Sequence, residues 1–298
     1  MVAYFPLDVA FLVSIWLETL MYGIFLPTFV ISICALWYNK KWMIPVNLPM
    51  VLFVLLMFAL ATAHVGINTW RMIQAYVYNS SVSGGSVAFL LSLAQPTQSA
   101  KDAIYVTQTL LGDIFNIYRS WLVWNRNYWV PVFPLALWVA TTVVGYYMTT
   151  SLFPSARMDD NAFTELYKTW ITIWYCLSVA QNLITTTLIA FRLWHHERQI
   201  AAYRKSGFSL LPIMLIIVES AAIYLAAQLL ALILLLVNDN ASFTMLELLT
   251  PLIGIVFCQV IIRTSLYSRQ ARNDSPLPTN VHVSAVTDTS KALSSSSV

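Results

Sequence analysis

Apolar residues gather into seven long stretches, at about 10–37, 48–76, 103–124, 130–151, 167–193, 210–237 and 245–264, with short polar segments between them. A helix of about 20 apolar residues crosses the hydrocarbon core of a bilayer. A transmembrane barrel would need shorter segments of alternating polarity. The pattern therefore predicts seven transmembrane helices. Pro49, Pro131, Pro134, Pro212 and Pro251 lie near span ends, where proline costs little helical hydrogen bonding. Pro27 lies mid-span and predicts a kink in the first helix. Trp37, Tyr38, Trp42, Tyr76, Tyr78, Trp121, Trp124, Tyr128, Trp129, Tyr167 and Trp194 cluster at span ends, as in interfacial belts.

The polar segments alternate in charge. Eleven Lys and Arg residues fall on one side: Lys40, Lys41, Arg126, Arg192, Arg198, Arg204, Lys205 and the four from Arg263 onward. Only Lys101, Arg157 and Lys168 fall on the other, while Arg71 and Arg119 lie inside spans. The positive-inside rule then places the N-terminus outside and the C-terminus in the cytoplasm. Asp8, Asp102, Asp159, Asp160, Glu165, Asp239 and Glu247 all join the outer set. The sequon at Asn79, also outer, is a weak glycosylation candidate. The first apolar stretch lacks a basic leader and is too long for a signal-peptide core, so it reads as a true span.

Composition agrees with lipid as the main solvent. Hydrophobic residues are 59% of the 298, charged residues 10%, and the mean hydropathy is +0.70, whereas a soluble domain carries about 25% charged residues. The expected organisation is an all-α transmembrane domain over 1–269 and a disordered, Ser/Thr-rich cytoplasmic tail over 270–298. The basic segment 192–209 continues the fifth helix into the cytoplasm, as a lipid-phosphate anchor or a docking site for a cytoplasmic signalling partner.

Polar residues inside spans are the candidates for function, because an ionisable group in hydrocarbon is costly and faces the bundle interior. In the third span Tyr105, Thr109, Asp113, Asn116 and Ser120 recur every three or four residues and share one face, with Asp113 near the midplane. In the second span His64, Asn68 and Arg71 share a face, and Glu18 of the first span lies at the depth of His64. A Glu18–His64 or Glu18–Arg71 pair is expected, or else Arg71 snorkels to the outer interface. The fifth span aligns Ser178, Gln181, Asn182 and Thr185, and the sixth Ser220, Tyr224 and Gln228. An Arg119–Glu219 pair is expected to lock the third span to the sixth. Thr250, Gly254 and Cys258 make a small-residue face in the seventh span. The alternative for all these faces is an interhelical network that only fixes packing.

Several chemistries are excluded or demoted. No lysine lies in the last span, which removes a retinal Schiff base. Only His64 of the four histidines is within a span, so no metal is expected and no cofactor is implied. No nucleophile elbow or phosphate loop occurs, and no enzymatic activity is expected. The basic residues are juxtamembrane, which argues against nucleic acid; the partner they imply is the lipid bilayer. Cys34, Cys176 and Cys258 all sit in apolar stretches and leave no loop disulfide. Spans 1–3 and 5–7 show no inverted repeat, and no pattern addresses oligomeric state.

The segment from Gly112-Asp113 through Tyr118-Arg119 and Val123-Trp124 to the polar turn Asn125-Arg126-Asn127, before an aromatic and proline-rich fourth span, resembles a large family of uncharacterised fungal seven-span membrane proteins, abundant in basidiomycetes. The layout is similar along the whole chain; the motif is confined to this segment. The resemblance implies a fungal multi-pass membrane protein and supplies no catalytic residues. The topology is also similar to that of G-protein-coupled receptors, but Tyr118-Arg119 lacks an acidic neighbour and the characteristic sixth- and seventh-span motifs are absent. The expectation is a receptor-like protein of the plasma membrane or endomembrane system. It senses a small ligand through Thr109, Asp113, Asn116, Asn182 and Gln228, with Glu18, His64, Arg71, Arg119 and Glu219 as ion-pair or switch residues. The alternatives are a transporter or channel for a small solute or ion, and an accessory membrane protein without a pocket.

Overall fold

The structure is a computed structural model that describes residues 6–40, 48–79, 85–92, 95–152, 161–201, 211–237 and 239–273. Among these residues there is no strand. The helices are α1 (Leu7–Lys40), α2 (Leu48–Ile73), α3 (Gly85–Leu91), α4 (Pro96–Val123), α5 (Val132–Tyr147), α6 (Asn161–Ala201), α7 (Leu211–Leu236) and α8 (Ala241–Asn273). Single π-helical stretches extend α2 over Gln74–Tyr78 and α5 over Met148–Leu152. The tail beyond 273, residues 202–210 of the basic segment, and Ser80 and Ser81 of the sequon lie outside the described residues.

Six helices among the described residues are long and apolar enough to cross a membrane: Leu7–Trp37, Met50–Tyr78, Val132–Ser151, Lys168–His195, Val218–Leu236 and Ala241–Leu266. Their outward side chains are large and apolar, with Trp16, Leu20, Leu52, Val143 and Leu215 all exposed. A water-facing surface would not carry such a coat; a lipid-facing one does. The architecture is that of a multi-pass helical membrane protein.

The helix α4 is also long, at 28 residues, but it is not one of the six. Lys101, Asp102, Asp113 and Arg119 lie along it, and they lower its apolarity. Its position in the bundle explains how this is tolerated. It packs against α2, α5, α6 and α8 at once, and its interior face buries Lys101, Tyr105, Gln108, Thr109, Asp113 and Ser120. The remaining contacts close the bundle: α1 on α2 and α8, α7 on α6 and α8.

Close approach is set by small residues. A Cβ at Gly254 on α8 would lie 2.6 Å from the ring of Phe25 on α1, and one at Gly145 on α5 would lie 2.7 Å from Val106 of α4 and 2.8 Å from Trp174 of α6. Cys258, one turn beyond Gly254, accepts a hydrogen bond from Ser32 of α1 at 3.5 Å. Cys34 and Cys176 are exposed, and all three cysteines are free. Helix α1 is continuous through Pro27. Between α4 and α5, Asn125 (φ 56°) and Arg126 (φ 60°) take the left-handed conformation, which Asn tolerates better than most residues. Arg126 N donates to Trp121 O at 3.0 Å and closes the end of α4.

Candidate functional site

Two polar layers cross the interior, and α4 contributes to both. The first lies at the end of the bundle where α2 finishes and α4 and α8 begin. Nδ1 of His64 is 2.6 Å from Oε1 of Glu18, and Asn68 Nδ2 donates to Oε2 of the same carboxylate at 2.5 Å. The other imidazole nitrogen, Nε2, is 3.6 Å from Oε2 of Glu247. Lys101 Nζ bonds Oε1 of Glu247. One cluster thus ties α1, α2, α4 and α8 together, and Glu18, His64, Asn68, Lys101 and Glu247 are all buried.

Arg71 lies beside this cluster. It does not snorkel outward and does not take Glu18. It is 1% exposed and turns into the protein, donating to Thr97 Oγ1 at 3.1 Å and to Leu90 O at 3.3 Å. Its guanidinium is 6.0 Å from the ring centroid of Phe89. The short helix α3 supplies both Leu90 and Phe89, and so provides a wall that makes burial of Arg71 possible. Asp102 accepts from Gln98 Nε2 at 2.9 and 2.8 Å and lies within Coulombic range of Arg71.

Glu18, Asp102 and Glu247 share this layer with Arg71, Lys101 and His64. Ligand atoms of Glu18, His64 and Glu247 also lie within 4.8 Å of one another, near enough to hold a metal ion. A divalent ion there would crowd the Lys101 ammonium, which already bonds Glu247.

The second layer lies deeper, between α4, α6, α7 and α8. Tyr105 and Tyr175 bring their hydroxyls to 3.1 Å. Gln228 Nε2 donates to Ser178 Oγ at 2.9 Å and to Tyr224 OH at 2.8 Å. Gln108 Nε2 reaches Thr250 O at 2.7 Å. Around these bonds lies a group of buried atoms without a partner: both carboxylate oxygens of Asp113, both amide atoms of Gln181, Asn182 Nδ2, Gln228 Oε1 and Nη2 of Arg119. Buried polar groups in folded proteins are nearly always satisfied, and each unmade bond costs about 1–3 kcal/mol. Such a group calls for polar partners, water included.

A cavity of about 30 Å³ opens on this layer, lined by Asn116, Arg119, Asn182, Thr186, Ser220 and Tyr224 among others. That is room for about two waters. Asn116 and Asn182 of the expected ligand face line it; Thr109, Asp113 and Gln228 do not, although all three are buried in the adjoining interior.

The expected Arg119–Glu219 pair is replaced. Glu219 accepts from Arg263 of α8 at 2.8 Å, and the two side chains are 59% and 39% exposed. Arg119 instead places its guanidinium 5.7 Å from the ring centroid of Phe115. The Glu219 side chain turns outward, onto α8. Asn79 Nδ2 is bonded to Gln74 O at 2.9 Å.

Lys101 and Glu247 belong to the outer charge set in the sequence reading, which does not pair them; in the structure they are buried partners. Pro96 was the available signal, since proline favours the first turn of a helix; it moves the start of α4 back by nearly two turns and carries Lys101 inside. No protein-family model matches the chain, and no curated protein matches its sequence.

Proposed function

We propose that the protein is a receptor-like seven-span membrane protein that senses a small polar ligand in its interior. Helix α4 serves as the seventh span. The N-terminus faces outward and the C-terminus faces the cytoplasm, which the distribution of Lys and Arg supports. The resemblance of the Gly112–Asn127 segment to fungal seven-span proteins agrees with this layout. The basic end of α6 and the tail carry the output to a cytoplasmic partner, and the membrane is the plasma membrane or an endomembrane.

One observation carries the reading: the unpartnered polar atoms of Asp113, Asn182 and Gln228 are gathered beside the cavity at Asn116 and Arg119. A network that only fixed packing would pair its members, because an unpaired buried group is expensive. The test is a signalling readout in cells expressing Asp113→Asn, with surface level measured in parallel. A lost response at normal surface level supports the reading, and an unchanged response sinks it.

A second reading is favoured by a separate feature. Buried ionisable groups recur along α4 from Lys101 through Asp113 to Arg119, as a path for a small solute or ion would require. Solute flux in reconstituted vesicles distinguishes it from sensing.

A further inference from the structure

We propose that the cavity between α4, α6, α7 and α8 binds a small monovalent anion through Arg119 and Asn182. The ligand chemistry is one negative charge on a compact group: a chloride ion, or the carboxylate of a small organic acid. This rests on the interior-ligand reading above and names the class of ligand.

Arg119 lines the cavity. Its Nη2 is sealed from solvent and has no hydrogen-bond partner. No carboxylate among the described residues lies within ion-pair distance of it; the expected partner, Glu219, is taken by Arg263. The Phe115 ring at 5.7 Å offers a cation–π contact, which does not replace a hydrogen-bond acceptor. A guanidinium is always charged and cannot relieve its burial by releasing a proton, so it requires an anion or water.

A second donor faces the same space. Asn182 is 1% exposed, it lines the cavity, and its Nδ2 is unpartnered while its Oδ1 is 3.4 Å from the Thr186 hydroxyl. The amide's acceptor end is thus engaged and its donor end is free. Asn116 and Tyr224 add polar groups to the wall, and Ile189, Ile253, Val256, Phe257 and Val260 make the rest apolar. A mostly apolar wall with a few convergent donors is the form of a specific small-ligand site. The volume of about 30 Å³ admits a group the size of one or two waters, which suits chloride or a carboxylate and excludes a bulky sulfonate. Asp113, whose unpaired oxygens would repel an anion, is absent from the lining.

The test uses the full-length protein in lipid nanodiscs. Thermal unfolding is followed at constant ionic strength while potassium chloride, or potassium acetate, replaces the potassium salt of a bulky morpholine sulfonate. Ligand binding to the folded state raises the midpoint with the logarithm of ligand concentration above Kd. The expected result is a dose-dependent rise with chloride or acetate, weakened about ten-fold or more in affinity by Arg119→Gln, as for loss of a charged hydrogen-bond partner. Asn182→Leu is the second variant and decides the matter if Arg119→Gln does not fold; it should weaken affinity in the same direction. A response to chloride identifies an ion site, and a response to acetate alone identifies a carboxylate site. No response to either, or a response untouched in both variants, overturns the proposal. Because the assay reads binding alone, anion binding without a signalling output would remove the receptor reading and leave this one intact.

Discussion

His64 and Glu18 meet at 2.6 Å with almost no exposure of either side chain, and this contact joins α1 to α2 in the interior of a bundle whose outer surface is apolar. The pair is not isolated. Asn68 holds the far oxygen of Glu18, and Glu247 lies on the opposite edge of the imidazole. Three helices therefore meet through one histidine, and Lys101 adds α4 through Glu247, which makes this layer a structural anchor at one end of the bundle.

Removing one partner should be costly. Glu18→Leu leaves His64 and Asn68 without their acceptor in a buried site, and breaking a buried pair destabilises by about 3–5 kcal/mol. The double variant Glu18→Leu/His64→Leu should recover part of that loss, because no polar group is then stranded at either position. Thermal unfolding of the purified protein in detergent measures both.

The Lys101–Glu247 pair behaves in the same way across α4 and α8. Lys101→Met leaves the Glu247 carboxylate without its cation, and an effect of about 3–5 kcal/mol is expected. Screening by salt should be weak, since buried pairs are shielded from ions. A loss that disappears at high salt would mean that the pair is solvent-exposed.

The Glu219–Arg263 pair is the contrasting case. Both side chains are substantially exposed, and such pairs contribute about 0–1 kcal/mol. Glu219→Gln should leave the unfolding midpoint nearly unchanged. A large drop would imply that Glu219 has a second partner in the interior.

Two glycines predict opposite outcomes. Gly254→Ala drives a methyl group to 2.6 Å from the Phe25 ring, and overpacking of this kind costs about 1–3 kcal/mol. A Cβ at Gly23 on the same α1 helix meets nothing within 4 Å, so Gly23→Ala should be neutral or stabilising by up to about 1 kcal/mol. The unfolding midpoint should drop for Gly254→Ala and stay level or rise for Gly23→Ala.

Much of this was legible in the sequence, and the parts that were not have physical reasons. Helix positions follow from apolar length, and the face Tyr105–Thr109–Asp113–Asn116–Ser120 follows from helical spacing. Matching Glu18 to His64 required only depth, because α1 and α2 are sequential and packed together. Matching Arg119 to Glu219 required rotation about the helix axis as well, and a depth argument carries no such information. Arg71 was open between pairing and snorkelling because its surroundings depend on α3, a seven-residue helix in a polar segment too short to register as a span. The count of six apolar helices against seven expected spans turns on α4, whose hydropathy reports its polar face and not its central place in the bundle.

The proposed function requires that the buried polar face of α4 meet a space occupied by polar guests. The most direct measurement is an experimental structure in lipid at a resolution that shows ordered water. Density is expected within hydrogen-bonding distance of the Asp113 carboxylate, of Asn182 Nδ2 and of the Arg119 guanidinium. A dry interior, with all three side chains turned onto protein partners, would contradict it.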